Sequence, residues 1–236
     1  MGLRHSPKII TNGLVLALDA ANNKSYPGSG TTWTDLSGNN NNGTLTNGPT
    51  FSAGNQGSIV FDGTNDYIST TLQTLNRPFT LSVWANFSNL TGFQTFIGQD
   101  TSASIPRGRF YFQKAGTTGG GPVQDKVNFS LVKSDDSVVV VNTINTVSIN
   151  VWYNFVVTLS TSSISLYQNG VIQNTTADVN TLLTDNTVIL LAAGYYSNNI
   201  TDFINGKMSS VFIYNRELSA TEILQNYNAT KSRFGR

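Results

Sequence analysis

Residues 152–172 read WYNFVVTLSTSSISLYQNGVI and predict three consecutive antiparallel strands. The dipeptide Asn169-Gly170 favours a two-residue hairpin turn, because both central positions of that turn need positive φ. Side chains alternate along the first strand: one face carries Tyr153, Phe155, Val157 and Leu159, and the other carries Trp152, Asn154 and Thr158. A period of two places one face on a core and leaves the other half-polar, which is typical of a β-sandwich.

The same alternation recurs upstream, and a helix signal stands near the C-terminus. Residues 79–87 (FTLSVWANF) alternate apolar and mostly polar side chains, with Trp84 on the face opposite the apolar one. Ser219 and Glu222 have the spacing of a capping box, and apolar residues follow them. The sequence therefore predicts an all-β fold with one short C-terminal helix.

Composition narrows the classes of function. Charged residues make up 11% of the 236 residues, the net charge is +1 and cysteine is absent. This charge gives no electrostatic reason to expect nucleic acid, and cysteine chemistry is excluded. No apolar run is long enough for a membrane span, and the first residues lack a signal-peptide pattern. We therefore expect a protein made in the cytoplasm of its host cell.

We divide the chain into one domain with two short ends. Residues 1–12 form a mildly basic leader, residues 13–230 form the sandwich with its helix, and residues 231–236 form a basic tail. The tail is either a frayed terminus or a segment that docks on a partner through Lys231, Arg233 and Phe234. Residues 20–57 are rich in turns and are either a binding loop or a long connection anchored by Trp33.

Four segments together resemble the laminin G-like, concanavalin A-like domains. They are SIVFDGTNDYI (58–68), FTLSVWANF (79–87), residues 152–172 and INGKMSSVFIYNRELSATEI (204–223). The resemblance implies a two-sheet antiparallel jelly roll. It also implies binding of glycans or proteins through rim loops or a sheet face, sometimes with Ca²⁺.

A second resemblance concerns the two ends of the chain. Residues 10–49, from ITNGLVLALDA to GTLTNGP, and residues 219–236, SATEILQNYNATKSRFGR, are similar to structural proteins of tailed bacteriophages that carry this domain. This resemblance implies a virion surface component: head decoration, neck, tail fibre or adhesin.

Catalysis is not expected. Glycoside hydrolases of this fold need two facing carboxylates, and the only glutamates are Glu217 and Glu222, both at the start of the predicted helix. The single histidine, His5, lies in the leader, so triads and His-based metal sites lack their parts. We predict no catalytic residues and no required cofactor.

Candidate binding residues fall into two groups. Aromatic side chains on polar strand faces or in a polar loop are candidates for contact with a sugar or a partner, unless the helix or loops cover them: Trp84, Tyr111, Trp152, Tyr195 and Tyr196. Oxygen-bearing side chains beside two turns either stabilise those turns or hold Ca²⁺: Asp62, Asn65, Asp66, Asp202 and Asn205.

The leading hypothesis is a non-enzymatic virion surface protein that binds other virion proteins, assembles with copies of itself, or binds host-surface glycans. The alternatives are a bacterial or secreted carbohydrate-binding module, a decoration protein without a receptor, and a glycoside hydrolase on the same fold.

Overall fold

In the computed structural model, which describes residues 7–73, 75–99, 110–116, 124–133, 137–178, 188–196 and 199–236, the chain forms strands and one C-terminal α-helix. In chain order these are β1 Leu14–Asp19, β2 Thr32–Trp33, β3 Gly43–Thr46, β4 Thr50–Ser52, β5 Ser58–Asp62, β6 Tyr67–Thr70, β7 Phe79–Phe87, β8 Gln94–Gln99, β9 Phe110–Lys114, β10 Val127–Val132, β11 Val138–Asn142, β12 Trp152–Leu159, β13 Ser163–Gln168, β14 Val171–Ala177, β15 Leu190–Leu191, β16 Gly194–Tyr196, β17 Asn199–Thr201, β18 Asn205–Tyr214 and α1 Ala220–Thr230.

The strands build two large antiparallel sheets around one main hydrophobic core. The first sheet has the order β14-β13-β12-β7-β18-β5-β4, and β1 also pairs with β18. The second sheet has the order β11-β10-β9-β8-β15-β6-β3-β2, and β16 pairs with β17 in a separate hairpin. The predicted all-β, two-sheet sandwich with one short C-terminal helix is confirmed.

The hairpin that predicted the fold forms as expected. Asn169 and Gly170 have φ angles of 54° and 78°, the left-handed values that this turn requires. The strands on either side of the turn, β13 and β14, pair antiparallel, and β12 pairs with both β13 and β7. The predicted inward side chains of β12 are all in the core: Tyr153, Phe155, Val157 and Leu159. The alternation therefore identified the inner face of the first sheet.

Aromatic rings join the two sheets at the centre of the core. The ring of Phe96 on β8 lies 5.6 Å from that of Phe87 on β7, and 5.4 Å from that of Phe155 on β12. It also lies 5.5 Å from Phe112 on β9, with the two rings edge to face. Such pairs stabilise a fold by about 0.5–1.5 kcal/mol each beyond the area they bury.

The turn-rich segment 20–57 belongs to the sandwich. It contributes β2 and β3 to the edge of the second sheet and β4 to the edge of the first. Trp33 is fully buried in the main core, so the predicted anchor is confirmed. This segment therefore supplies edge strands to both sheets and does not form a separate binding loop.

The helix begins with the predicted capping box. The Ser219 hydroxyl accepts a hydrogen bond from the backbone N–H of Glu222, and the Glu222 carboxylate accepts one from the backbone N–H of Ser219. Arg216 adds two hydrogen bonds of 2.6 and 2.9 Å to the same carboxylate. Because of this bidentate pairing, the pKa of Glu222 falls from 4.5 to about 2.

In the described ranges, no helix has the length and apolar character needed to cross a membrane.

A second apolar layer covers the outer face of the first sheet. Phe234, in a 3₁₀ turn that follows α1, stacks on Trp84 with 4.1 Å between ring centroids and lies 4.8 Å from Trp152. Trp84 also stacks on Tyr227, and its Nε1 donates a 2.9 Å hydrogen bond to the Thr230 hydroxyl. The helix and the tail therefore cover both tryptophans.

This layer corrects two predictions. Trp84 is 1% exposed, so its ring offers no face to a ligand and its assignment as a ligand-binding residue is wrong. Trp152 is 8% exposed and packs on Phe234, so its ring is largely covered, and its assignment stays a prediction. The tail does not extend towards a partner, because Phe234 is 9% exposed and packs on its own chain. Arg233 binds the Asp19 carboxylate through hydrogen bonds of 2.7 and 2.9 Å, and Lys231 lies over the Tyr227 ring. The Phe234 ring is therefore not available for docking on a partner, and the tail packs as part of the domain. Docking through the half-exposed Lys231 and Arg233 stays a prediction.

The described part of the leader, residues 7–12, is also held against the domain. The backbone N–H of Ile10 donates to Asn226 Oδ1 at 2.8 Å, and its carbonyl accepts from the Tyr214 hydroxyl at 3.0 Å. The Lys8 carbonyl accepts from Gln225 Nε2 at 2.8 Å. The described leader residues Lys8 and Ile10 are thus bound to the C-terminal helix.

Replacing Phe234 with alanine tests the second layer. We expect Phe234→Ala to lower the free energy of unfolding by about 3 kcal/mol, since the change removes a buried ring from two indoles. Exposure of Trp84 and Trp152 should also shift the tryptophan emission to longer wavelength. Urea unfolding and fluorescence measure both effects. Leu224→Ala, which truncates an exposed helix side chain, is the matched control, and equal stability of the two variants would contradict this packing.

The Arg216–Glu222 pair predicts a pH dependence. The folded pKa of Glu222 is about 2, below its ordinary 4.5, so its ionisation stabilises the fold above pH 4.5 and stops doing so as the pH falls towards 2. We expect Glu222→Gln, which keeps a capping amide, to cost about 0.5–1 kcal/mol at pH 7. The difference from the parent should shrink below pH 4.5 and vanish near pH 2.

Urea titrations at several pH values measure this difference. Glu217→Gln is the control, because Glu217 is exposed and forms no ion pair with a described residue. A constant gap between the parent and Glu222→Gln across the pH range would contradict the role given to the charge.

Candidate functional site

Two adjoining hollows lie where the second sheet meets the β16–β17 hairpin. They measure about 400 and 360 Å³, and both are lined by Phe93 and Asp202. We call them together the Phe93–Asp202 cleft. The remaining lining residues of the first hollow are Gly63, Asn89, Thr91, Gly92, Gln94, Phe203 and Asn205, and those of the second are Tyr111, Gln113 and Thr201.

The loop that carries Phe93 is held by a buried lysine. Lys114 at the end of β9 is fully buried, and its Nζ donates to the carbonyls of Leu90 and Gly92, the latter at 2.9 Å. Burial lowers the pKa of the Lys114 ammonium. Gly116 lies beneath the Phe93 ring, since a Cβ at that position would come within 2.8 Å of it. The orientation of Phe93 is therefore fixed by its surroundings.

The opposite wall is held by hydrogen bonds to the same strands. The backbone N–H of Thr95 donates to the Asp202 carbonyl at 2.8 Å, and Gln94 Oε1 accepts from the backbone N–H of Asn205 at 3.0 Å. The Tyr111 hydroxyl donates to the carbonyl of Tyr195, which connects β9 to the β16–β17 hairpin. The loops that carry Phe93 and Asp202 are therefore tied by these hydrogen bonds to the neighbouring strands.

The lining combines aromatic rings with polar groups. Phe93 is 38% exposed, and the ring of Tyr111 is half-buried beside it. Burial raises the pKa of the Asp202 carboxyl, which lies at the boundary between the two hollows. Exposed ring faces pack on the C–H faces of pyranose or furanose rings, while carboxylates and amides bind hydroxyl groups. The arrangement has the chemistry needed to bind a saccharide.

The structure brings together part of the predicted ligand set. Tyr111 lines the cleft and contacts the backbone of Tyr195, which lies on β16 instead of in the predicted polar loop. Tyr196 ends the same strand, but its side chain lies outside the described residues. Trp84 and Trp152 lie on the first sheet, beneath the tail.

The predicted metal ligands are used mainly by the two turns. The Asp62 carboxylate accepts from the backbone N–H of Thr64 at 2.7 Å, and the Asp66 carboxylate accepts from that of Asp62 at 3.0 Å. Asn205 donates to the Asp62 carbonyl at 2.8 Å and lines the cleft with Asp202. The backbone carbonyl of Asn65 accepts a 2.8 Å hydrogen bond from the side-chain amide of Asn47.

These contacts match the turn-stabilising alternative and do not build a calcium site. Among the described residues, no three Asp, Glu, His or Cys side chains converge as they would to hold a metal ion. Calcium binding stays a prediction of the sequence, and these contacts give it no support.

Sequence reasoning missed Phe93, Gln94 and Gln113. Strand parity gave no signal for Phe93, because this residue precedes β8 and a register shift between Thr95 and Ile97 interrupts the alternation before Phe96. Lys114, which holds the loop that carries Phe93, gave no signal either, because its partners are backbone carbonyls, which every residue has.

The number of carboxylates in the cleft indicates whether it could hydrolyse a glycosidic bond. Asp202 is the only acidic residue among the described lining residues. Glu222 is paired with Arg216 at the start of the helix, and Glu217 is exposed there. Hydrolysis of a glycosidic bond needs two carboxyl groups about 5–9.5 Å apart across the bond. In the described chain, the cleft offers one.

Solved structures with the same fold include several binding domains. Domain 4 of AbnA, a GH43 extracellular arabinanase from Geobacillus stearothermophilus solved with arabinotriose, is similar with a TM-score of 0.71 and 17% identity, over 91% of this chain and 98% of that one. The binding domain of Paraclostridial Mosquitocidal Protein 1 has a TM-score of 0.69 and 17% identity, over 93% of this chain and 52% of that one.

The ligand binding domain of Botulinum neurotoxin serotype D, solved with N-acetylneuraminic acid, has a TM-score of 0.68 and 16% identity, over 92% of this chain and 51% of that one. The chain thus spans about half the length of these toxin domains. At such identities the likeness concerns the fold alone.

The sequence itself matches a family model. No curated protein sequence matches the chain. A laminin G-type model, described as the Concanavalin A-like lectin/glucanases superfamily, matches residues 62–224, which is more than half of the chain. The match includes β7, the hairpin of β12 to β14 and all of β18, whose alternation builds the sandwich. The chain therefore belongs to the concanavalin A-like lectin/glucanase superfamily.

Proposed function

We propose that this protein binds carbohydrate, without catalysis, in the Phe93–Asp202 cleft. The observation that carries the proposal is the exposed Phe93 ring, which stands beside Tyr111 and the Asp202 carboxyl on a rigid support. One ring to stack on a sugar and a few fixed polar groups to bind its hydroxyls are the elements of a small-ligand site.

The absence of a second carboxylate supports binding rather than hydrolysis. A lone Asp202 can accept hydrogen bonds from vicinal hydroxyls, but it has no described acid partner to protonate a leaving group. Similar folds in complexes with arabinotriose and with N-acetylneuraminic acid are compatible with this proposal. They do not identify the sugar, because the identity is too low to carry a ligand across.

Truncation of Phe93 tests the proposal. We expect the parent chain to bind at least one oligosaccharide on a glycan array, and Phe93→Ala to weaken that binding by roughly tenfold, the effect of about 1.4 kcal/mol. Asp202→Asn should weaken it as well, because the amide replaces one acceptor with a donor. Calorimetry on the best array ligand measures both changes.

Ile144→Ala is the matched control, since Ile144 is an exposed apolar side chain outside the cleft. Unchanged affinity of Phe93→Ala with a normal melting temperature would exclude this cleft as the site. Failure of the parent chain to bind any glycan would argue against the function itself.

We further propose that the protein acts on the surface of a tailed-phage virion. The support is the resemblance of residues 10–49 and 219–236 to phage structural proteins. Those segments contact each other: the backbone N–H of Ile10 donates a hydrogen bond to the Asn226 side chain, and the Arg233 guanidinium donates one to the Asp19 carboxylate. In this setting the chain would bind other virion proteins or its own copies and present the cleft to host-surface glycans. The same cleft would serve a bacterial or secreted module.

The location of the protein separates these settings. We expect antibodies against the chain to label purified particles at one site, on the head, neck or tail, in immuno-electron microscopy. Particles from which the gene for this chain is deleted are the control and should lose the label. Recovery of the protein only from the culture medium or the host cell, with none on particles, would overturn the virion proposal and favour a secreted module.

A further inference from the structure

A second cleft lies on the outer face of the first sheet, beside the tail. Its Lys207 is two residues along β18 from Asn205, which lines the Phe93–Asp202 cleft. The second cleft measures about 520 Å³ and is bordered by Trp152, the tail residues 234–236 and polar side chains. We call it the Asn86–Lys207 cleft. It shares no lining residue with the Phe93–Asp202 cleft, so a ligand bound here would be independent of the proposed function.

Strand register builds the floor of this cleft. In the pairing of β12 with β7, Trp152 stands opposite Asn86, and in the pairing of β7 with β18, Lys207 stands opposite Asn86. The three side chains therefore form one row across three neighbouring strands. Ala85 and Met208, the neighbours of Asn86 and Lys207, point into the core, which leaves the row on the outer face.

Asn86 is the unusual member of this row. Its side chain lines the cleft and the residue is 6% exposed, yet the amide makes no hydrogen bond to any described residue. A buried amide costs free energy unless a partner satisfies it, so such a group points to a ligand. By contrast, Asn55 at the edge of the cleft uses its amide to bind Trp152 Nε1 and the Arg233 carbonyl.

The charge of the cleft has one sign. Lys207 and Arg236 line it, and none of its described lining residues is acidic. Lys207 forms no ion pair with a described residue, while Arg236 is oriented by a 3.0 Å hydrogen bond to the Trp152 carbonyl and by the Tyr153 ring. Two cationic side chains without an acidic side chain beside them favour an anionic ligand.

We propose that the Asn86–Lys207 cleft binds a carboxylate-bearing saccharide. Lys207 and Arg236 would bind the carboxylate, and the amides of Asn86 and Asn150 would donate to and accept from the sugar hydroxyls. Asn150 is exposed, and its side chain makes no hydrogen bond to a described residue. An amide can both donate a hydrogen bond to a hydroxyl group and accept one from it. The two amides therefore favour a saccharide over a simple inorganic anion.

Calorimetry of the full chain with trigalacturonate, at about 25 mM salt, tests the proposal. We expect one site per chain, weaker binding as the salt rises, and at least tenfold weaker binding of the fully methyl-esterified trimer, which keeps the hydroxyls and loses the charge. Lys207→Gln should reduce the affinity about tenfold, the usual effect of one charge-assisted contact. Asn86→Asp, which keeps the side-chain size and adds a negative charge, should abolish binding.

Lys24→Gln is the matched control for net charge, because Lys24 is exposed and is not a lining residue of the cleft, and it should leave the affinity unchanged. Phe93→Ala should leave it unchanged too. Thermal melting and tryptophan emission establish that each variant is folded, and a misfolded Asn86→Asp is replaced by Asn86→Ser, for which a several-fold loss is expected.

Several results would overturn the proposal. One is equal binding of the acid and its methyl ester, and another is loss of binding in Phe93→Ala but not in Lys207→Gln. Sulfate that competes as strongly as trigalacturonate would indicate a general anion site. Binding of an aspartate-rich peptide in place of the trimer would assign the cleft to acidic protein partners.

Discussion

The packing of Phe234 on Trp84 gives the first sheet a second apolar layer. This layer determines which side chains on the outer face of the sheet remain accessible to a ligand. The inner face of this sheet is covered by the second sheet, as in any sandwich, whereas its outer face carries two indoles in the middle. Left uncovered, these rings would form an exposed apolar patch. The tail removes the patch, and the Arg233–Asp19 pair and the contacts of Arg236 hold the tail in place. The C-terminal residues therefore cover the outer face of the first sheet, a structural role that their basic composition does not indicate.

The two clefts have different chemistry because the outer faces of the two sheets are covered differently. On the second sheet, the face near β8 and β9 is covered only in part by the β16–β17 hairpin, so Phe93 and Tyr111 stay accessible beside one carboxylate. On the first sheet, the tail takes up the aromatic rings, and what remains accessible beside it is the polar end of the row, with Asn86 and Lys207. Strand alternation thus provides the row of the amide-rich, cationic cleft, whereas the aromatic, acidic cleft depends on Phe93 and Asp202, which lie in loops beside the strands.

The sequence predicted most of the fold because its signals are local. The Asn169-Gly170 turn, the alternation along β12 and the capping box of Ser219 and Glu222 each depend on residues close in the chain, and all three are confirmed. The site was less predictable. Strand parity correctly places Trp84 on the outer face, but parity cannot tell what covers that face, and the covering ring of Phe234 is distant in the sequence. Likewise, Lys114 reads as a surface charge, although it is buried where backbone carbonyls replace water.

The low charge of the chain helps to explain why amides recur in both clefts. With 11% charged residues, the surface depends on Asn, Gln, Ser and Thr for its polar groups. An amide both donates and accepts, so it can complete a turn, as Asn205 does beside Asp62, or fix a ring, as Asn55 does for Trp152. Most buried amides here are used in this way. The exceptions include Gln168, whose Oε1 is buried without a partner, and Asn86, whose amide makes no hydrogen bond to a described residue. Asn86 differs in lining a cleft with Lys207 and Arg236, so a ligand bound there can supply the contact that the fold does not.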